Sequence, residues 1–143
     1  MIEIKRIKAT ETYGVRKEVL RENIDLPHIF TGDLDKDTFH LGLFLNKQLI
    51  GVVSFMKFKY QGLKGEQYQL RGMATLEAFQ GKGYGKELIQ YGLDILKEKQ
   101  IDYVWCNARI AAVKFYQHAG FQTIGKQFDI AKIGGHFVMY KKI

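Results

Sequence analysis

The stretch Gln80-Gly81-Lys82-Gly83-Tyr84-Gly85-Lys86 holds the residues of this chain best suited to grip an anion. Each glycine can take a positive φ or bring its backbone close to a ligand. An apolar run ending in Met73-Ala74-Thr75 comes before it, and a helical pattern over 86–100 comes after it. A strand, a glycine turn and a helix start together present unpaired N–H groups at the positive end of a helix dipole, which is how backbone binds phosphate. Gln80, Lys82 and Lys86 add polar and cationic reach. The spacing is G-x-G-x-G, not the G-x-G-x-x-G of dinucleotide folds, and Glu87 stands where a Walker loop needs Ser or Thr.

Other reactive side chains are sparse. Cys106 is the only cysteine, and it sits in the apolar run Tyr103-Val104-Trp105-Cys106, so it reads as a small core residue rather than a catalytic thiol. His28, His40, His118 and His136 are scattered and form no metal-ligand spacing. No metal is expected. Asp33, Asp35 and Asp37 alternate, but the Gly and closing Glu of a calcium loop are missing, so 31–37 reads as a polar turn.

The elements that must position the glycine stretch follow from periodicity. Residues 1–8 alternate as a strand, and Thr10 is the expected N-cap of a helix with Val15, Val19 and Leu20 on its apolar stripe, fading near Asn23. Residues 24–30, restrained by Pro27, read either as a short helix or as a loop over the site. Strands are expected over 39–45 and 49–60, joined by the turn Asn46-Lys47-Gln48, and then over 67–76. The helix after the glycines puts Leu88, Gly92, Leu93 and Leu96 on one face. A strand over 103–107 completes a right-handed βαβ unit. A short helix over 108–118, with Ala108, Ala112 and Phe115 inward, ends at Gly120. Strands over 121–130 and 136–142 close the chain. The fold class is α/β with a mixed sheet of about seven strands and about four helices.

The chain of 143 residues, 46% of them hydrophobic, suits one domain, 1–143, with a sizeable core. The net charge of +7 is spread along the chain, with no basic tail or stripe, so neither nucleic acid nor a membrane surface is an expected partner. No apolar run reaches membrane-span length, and the start of the chain lacks a signal peptide's apolar centre, so the expected location is cytoplasmic.

At several separated points the chain resembles the GNAT superfamily of acetyl-CoA-dependent N-acetyltransferases. Gln80 to Lys86 fits its Q-x-x-G-x-G pyrophosphate loop. Leu70-Arg71-Gly72-Met73-Ala74-Thr75 is similar to its fourth strand, and Ala112 to Phe121 to its A-x-x-F-Y-x-x-x-G-F segment. Phe128-Asp129-Ile130 with Gly135-His136 and Met139 resembles its closing hairpin. The resemblance covers about 39–143. It implies a gap between parallel strands four and five, filled by the pantetheine arm of acetyl-CoA lying along Met73, Ala74 and Thr75. The pyrophosphate would rest on Gly81, Lys82, Gly83, Tyr84, Gly85 and Lys86, with Gln80, Asn107 and Phe115 as further cofactor contacts.

The reaction implied is attack of a primary amine of a small molecule or peptide on the thioester within a ternary complex. Tyr116 matches the family's tyrosine acid, with packing beside Phe115 as the alternative. The Met73 N–H is the implied oxyanion donor. The resemblance leaves the general base open: no carboxylate stands in the centre of the fourth strand, and Glu66, Asp129, His136 or a water are the choices. Arg71 points either at an acidic substrate group or along the surface. A homodimer is compatible with the family. The alternative functions are a non-catalytic acyl-CoA-binding sensor or partner-binding module, separable by a Tyr116→Phe variant, and a nucleic-acid-binding domain, separable by salt-dependent binding that acetyl-CoA does not compete with.

Overall fold

The computed structural model describes residues 1–143. A seven-stranded sheet runs through the molecule: β1 (Ile2–Ile7), β2 (Phe39–Leu45), β3 (Gln48–Met56), β4 (Gln67–Thr75), β5 (Tyr103–Arg109), β6 (Gln122–Ile130) and β7 (Gly134–Lys142). The spatial order is β1-β2-β3-β4-β5-β7-β6. Only β4 and β5 are parallel; every other pair is antiparallel. Three helices accompany it: α1 (Ala9–Val15), continued as a π-helical turn over Arg16–Leu20, α2 (Tyr84–Glu98) and α3 (Val113–His118). The segment 24–30 forms no helix.

α2 crosses from β4 to β5 and covers the sheet with Leu88, Ile89, Leu93 and Leu96, all buried. These join Phe39, Leu41, Leu43, Ile50, Phe55 and Val104 in the main core. Burying each such side chain is worth about 1.5–3 kcal/mol, so this face holds the crossover in place. Cys106 lies in the same core, and burial pushes its thiol well above the ordinary value. No helix is long and apolar enough to cross a membrane.

Several local expectations are corrected. Thr10 does not cap α1. Lys8 is the cap residue, and its N–H donates to Glu11 Oε1 at 2.9 Å. β3 stops at Met56, short of Tyr60, because side chains replace the ladder beyond it: Trp105 Nε1 donates to Phe58 O at 2.9 Å, and the Tyr60 N–H donates to Gln67 Oε1 at 2.9 Å. β5 extends to Arg109 because β7 keeps pairing with it through Arg109 opposite His136. The helix expected over 108–118 therefore begins only at Val113, and Ala108 is a buried strand residue. α2 starts at Tyr84, two residues before Lys86. The polar turn at 31–37 is present, but its Asp33 is buried rather than solvated.

Candidate active site

β4 and β5 pair over Gln67, Tyr68 and Gln69 opposite Tyr103, Val104 and Trp105, and then part. From Leu70 onward the β4 edge has no strand beside it. β4 is also bulged: Val52 faces Ala74 and Ser54 faces Arg71, so Gly72 and Met73 lie opposite Val53 alone. Gly72 adopts φ +61°, which only glycine takes without strain, and this turns the Met73 peptide relative to the ladder.

What lies behind the bulge explains its shape. A Cβ on Gly72 would fall 3.0 Å from Phe30 Cε2 and 3.1 Å from Arg16 Nε. Arg16 is fully buried. Its terminal nitrogens donate to Asp33 at 2.8 and 3.0 Å, to Ser54 Oγ at 2.8 Å and to His28 O at 3.0 Å. His40 Nε2 donates to the Asp33 carbonyl at 2.9 Å, so in the neutral ring Nδ1 accepts from the Ser54 hydroxyl at 2.6 Å. This polar network ties the π-helical turn, the 28–33 loop, β2 and β3 together beneath β4.

The glycine stretch is shaped as an anion cradle. Gly81 and Gly83 take φ +77° and +85°. Glu87 N–H donates to Gly83 O at 3.2 Å, while the amides from Gly81 to Lys86 have no acceptor in the protein. The turn is held from below by Gln80, whose Nε2 donates to Thr75 O at 2.8 Å, so that side chain anchors the loop. Gly85 serves a different purpose from the other two. A Cβ there would lie 3.0 Å from Phe115 Cζ, so its bareness lets α2 sit on α3.

Two cavities flank the parted strands. The first, of about 510 Å³, is lined by Met73, Ala74, Thr75, Gln80, Gly81, Gly83, Tyr84, Gly85, Lys86, Phe115 and Tyr116, among others. The second, of about 240 Å³, includes Arg21, Arg71, Asn107, Arg109 and His136. They share Met73, Ala112 and Tyr116. Of the residues expected at the cofactor, Lys82 stands outside the first cavity, and Asn107 lines the second instead.

Tyr116 packs edge-on against Phe115 with ring centroids 5.1 Å apart, and in a tilted contact against Phe121 at 5.4 Å. Burial, and secondarily Cys106, push its phenol well above the ordinary value despite the opposing charge of Arg109. It remains a protonated donor throughout the neutral range. Of the base candidates, His136 alone lines the second cavity. Its Nδ1 donates to Gly134 O at 2.7 Å, which leaves Nε2 for a ligand. Glu66 and Asp129 are exposed and line neither cavity. No group of three or more His, Cys, Asp or Glu side chains is placed to hold a metal ion.

The sequence profile of the Acetyltransferase (GNAT) family matches residues 3–121. The chain belongs to this family. It is 37% identical to the Bacillus subtilis (strain 168) protein YitI, an uncharacterized N-acetyltransferase, over 100% of this chain and 97% of that one. Among solved structures, Escherichia coli ElaA superposes with a TM-score of 0.82 at 22% identity, covering 99% of both chains. An acyl-CoA N-acyltransferase from Pseudomonas aeruginosa superposes with a TM-score of 0.79 at 18% identity, again over 99% of both. These two likenesses establish the fold. Family membership makes the chain an acyl-CoA-dependent N-acetyltransferase, an enzyme that moves an acyl group from acyl-CoA to an amine.

Sequence reading missed Arg16, Asp33, Arg21 and Arg109 as parts of this region. Arg16 carried one usable signal, a cation on the inward side of an amphipathic helix, three residues before Val19.

Proposed function

We propose that this single-domain enzyme transfers an acetyl group from acetyl-CoA to the primary amine of a small molecule or peptide, by direct attack in a ternary complex. The observation that carries the proposal is that the two cavities meet at Met73, Ala112 and Tyr116. The 510 Å³ cavity takes the acyl donor and the 240 Å³ cavity the amine, so donor and acceptor are together before any bond changes.

The fit to acetyl-CoA rests on three features. The amides from Gly81 to Lys86 lack acceptors, the β4 edge beyond Gln69 lacks a partner strand, and Lys86 stands at the cradle. Pyrophosphate satisfies the first, and an amide-bearing pantetheine arm along Met73–Thr75 satisfies the second. The acyl group then lies where the cavities join.

The chemistry needs a neutral amine, a stabilised carbonyl oxygen and a proton for the departing thiolate. The bulged Met73 N–H serves the oxyanion. Tyr116 supplies the proton as the carbon–sulfur bond breaks and the carbon–nitrogen bond forms. His136 Nε2, directly or through water, receives the proton from the amine. The missing fourth-strand carboxylate has a physical substitute: Arg21, Arg71 and Arg109 surround the acceptor cavity, and like charge disfavours an ammonium. The amine therefore enters more readily as the free base. A cytoplasmic location, where acetyl-CoA is made and used, accords with this role.

The test is a thiol-release assay with acetyl-CoA and purified Tyr116→Phe. Release by the parent enzyme, and a fall of about 10²–10⁴-fold in the variant with acetyl-CoA binding unchanged, is the expected result. Equal turnover removes Tyr116 from the mechanism, and tight CoA binding without release by any amine favours a binding module.

A further inference from the structure

The acceptor cavity contains three arginines and no carboxylate. Arg21, Arg71 and Arg109 line it, with no Asp or Glu among its walls. Ion pairs elsewhere do not neutralise them. The only arginine–carboxylate pair in the structure is Arg16–Asp33, and it lies behind the cavity.

The three guanidiniums are held in place by apolar and backbone groups. Arg71 lies over the Phe30 ring at 4.5 Å and Arg21 at 5.5 Å, on a ring that Arg16 also covers at 3.9 Å. Arg21 Nε donates to Pro27 O at 2.9 Å and its NH1 to Leu20 O at 3.1 Å. Arg109 NH2 donates to the same Leu20 carbonyl at 3.2 Å. The Arg71 guanidinium makes no hydrogen bond to the protein, and Arg71 lines the cavity. Placing like charges together is unfavourable. Arg71 is depressed by burial and then by Arg16, and Arg21 by burial and then by Arg109, Arg71 and Arg16. An oxyanion between the forks would relieve this repulsion and accept paired hydrogen bonds.

We propose that the acceptor is a small amine that also carries a carboxylate or phosphate, bound by Arg71 with Arg21 and Arg109 while its amino group faces Tyr116 and His136. Both ends are defined within one cavity of about 240 Å³, so amine and anion belong to one metabolite-sized molecule. Polyamines and aminoglycosides, which bring only positive charge, are excluded by the same field. The assignment of this cavity to the acceptor rests on the proposed function above; the anion preference is read separately, by binding.

The test uses the enzyme saturated with CoA, titrated calorimetrically with matched pairs: α-amino acids against their carboxamides, and phosphoethanolamine against ethanolamine. At least tenfold tighter binding of one anionic member is expected, and the pair that responds tells carboxylate from phosphate. Arg71→Gln is expected to abolish the difference while leaving CoA affinity within twofold, and Arg71→Lys to restore part of it. Equal or weaker binding of both anionic members overturns the proposal, even where thiol release shows acetyl transfer to neutral amines. A parallel arm compares succinyl-CoA with acetyl-CoA. A preference for the succinyl donor that Arg71→Gln removes assigns the anion to the acyl chain and also overturns it. Anion binding without turnover leaves the anion preference of the cavity standing and defeats the functional reading instead.

Discussion

Arg16 and Asp33 form a two-pronged ion pair, with N–O distances of 2.8 and 3.0 Å and side chains only 0% and 2% exposed. The pair sits against Gly72, the residue whose positive φ creates the bulge in β4. The backbone that presents Met73 is thus shaped from behind by a buried charge pair whose members are distant in sequence. Removing one partner strands a buried charge, at a cost of about 3–5 kcal/mol. Asp33→Asn is expected to lower unfolding free energy by about that amount in urea titrations at pH 7. A change below about 1 kcal/mol would show that the pair does not hold the bulge.

The same pair sets an acid sensitivity. Burial raises the Asp33 carboxyl, but the Arg16 hydrogen bond, the Phe30 N–H and the Arg16 charge outweigh it, so the group lies below its ordinary 3.8. A depressed carboxyl contributes stability fully above the unfolded value and loses it as pH falls through the folded value. The gap in stability between parent and Asp33→Asn is expected to be constant from pH 7 down to about pH 5 and to shrink below about pH 4. Acid titrations followed by fluorescence of Trp105 would read it, and a gap that persists undiminished into strong acid would contradict the assignment.

Gly72→Ala is expected to cost about 1–2 kcal/mol for the left-handed backbone alone, and more for the contacts with Phe30 and Arg16. Its effect on catalysis should exceed its effect on acyl-CoA affinity, because the bulge aims one amide while the cradle lies elsewhere. A variant with lowered kcat and near-normal acetyl-CoA KM bears this out. The opposite split would place the bulge in cofactor binding.

Gly81→Val tests the cradle in isolation. Nothing stands within 4 Å of a Cβ at Gly81, so the protein has room, but the positive φ and the ligand's space are both disturbed. A loss of at least about tenfold in acetyl-CoA affinity is expected, with the thermal midpoint falling by no more than several degrees, as about 1–2 kcal/mol implies. Unchanged affinity would remove the turn from the donor site.

His136→Gln is expected to lower kcat by about 10²-fold or more while acetyl-CoA KM stays near normal, since the amine proton then has no imidazole to receive it. The Tyr116 phenol is held well above its ordinary 10 by burial, so it stays protonated and contributes no alkaline limb below about pH 10. Unchanged kcat in His136→Gln would assign proton removal to water.

How much of this was readable from sequence depended on how local each signal was. The loop at Gln80–Lys86, the run Met73-Ala74-Thr75 and the Phe115-Tyr116 pair are contiguous, and their glycine spacing and alternation carry their geometry. Arg16, Asp33 and Ser54 converge from three elements, and each alone reads as an ordinary polar residue. The same holds for Arg21, Arg71 and Arg109, gathered by Phe30 and the Leu20 carbonyl. Asn107 was placed with the cofactor by resemblance; it lines the 240 Å³ cavity and not the 510 Å³ one, a position that depends on where β4 parts from β5. Strand ends such as Met56 were misjudged because Gln67 and Trp105, from other strands, satisfy the backbone that follows.

In the proposed function the idle amides of Gly81 to Lys86 and the open edge of β4 together hold the donor. A titration with CoA followed by 1H–15N correlation spectroscopy reads both at once. The expected result is large, saturable shifts at Gly81, Gly83, Gly85 and Met73 to Thr75, with small changes along β1 and β6. Saturable CoA binding that leaves those amides unmoved would contradict it.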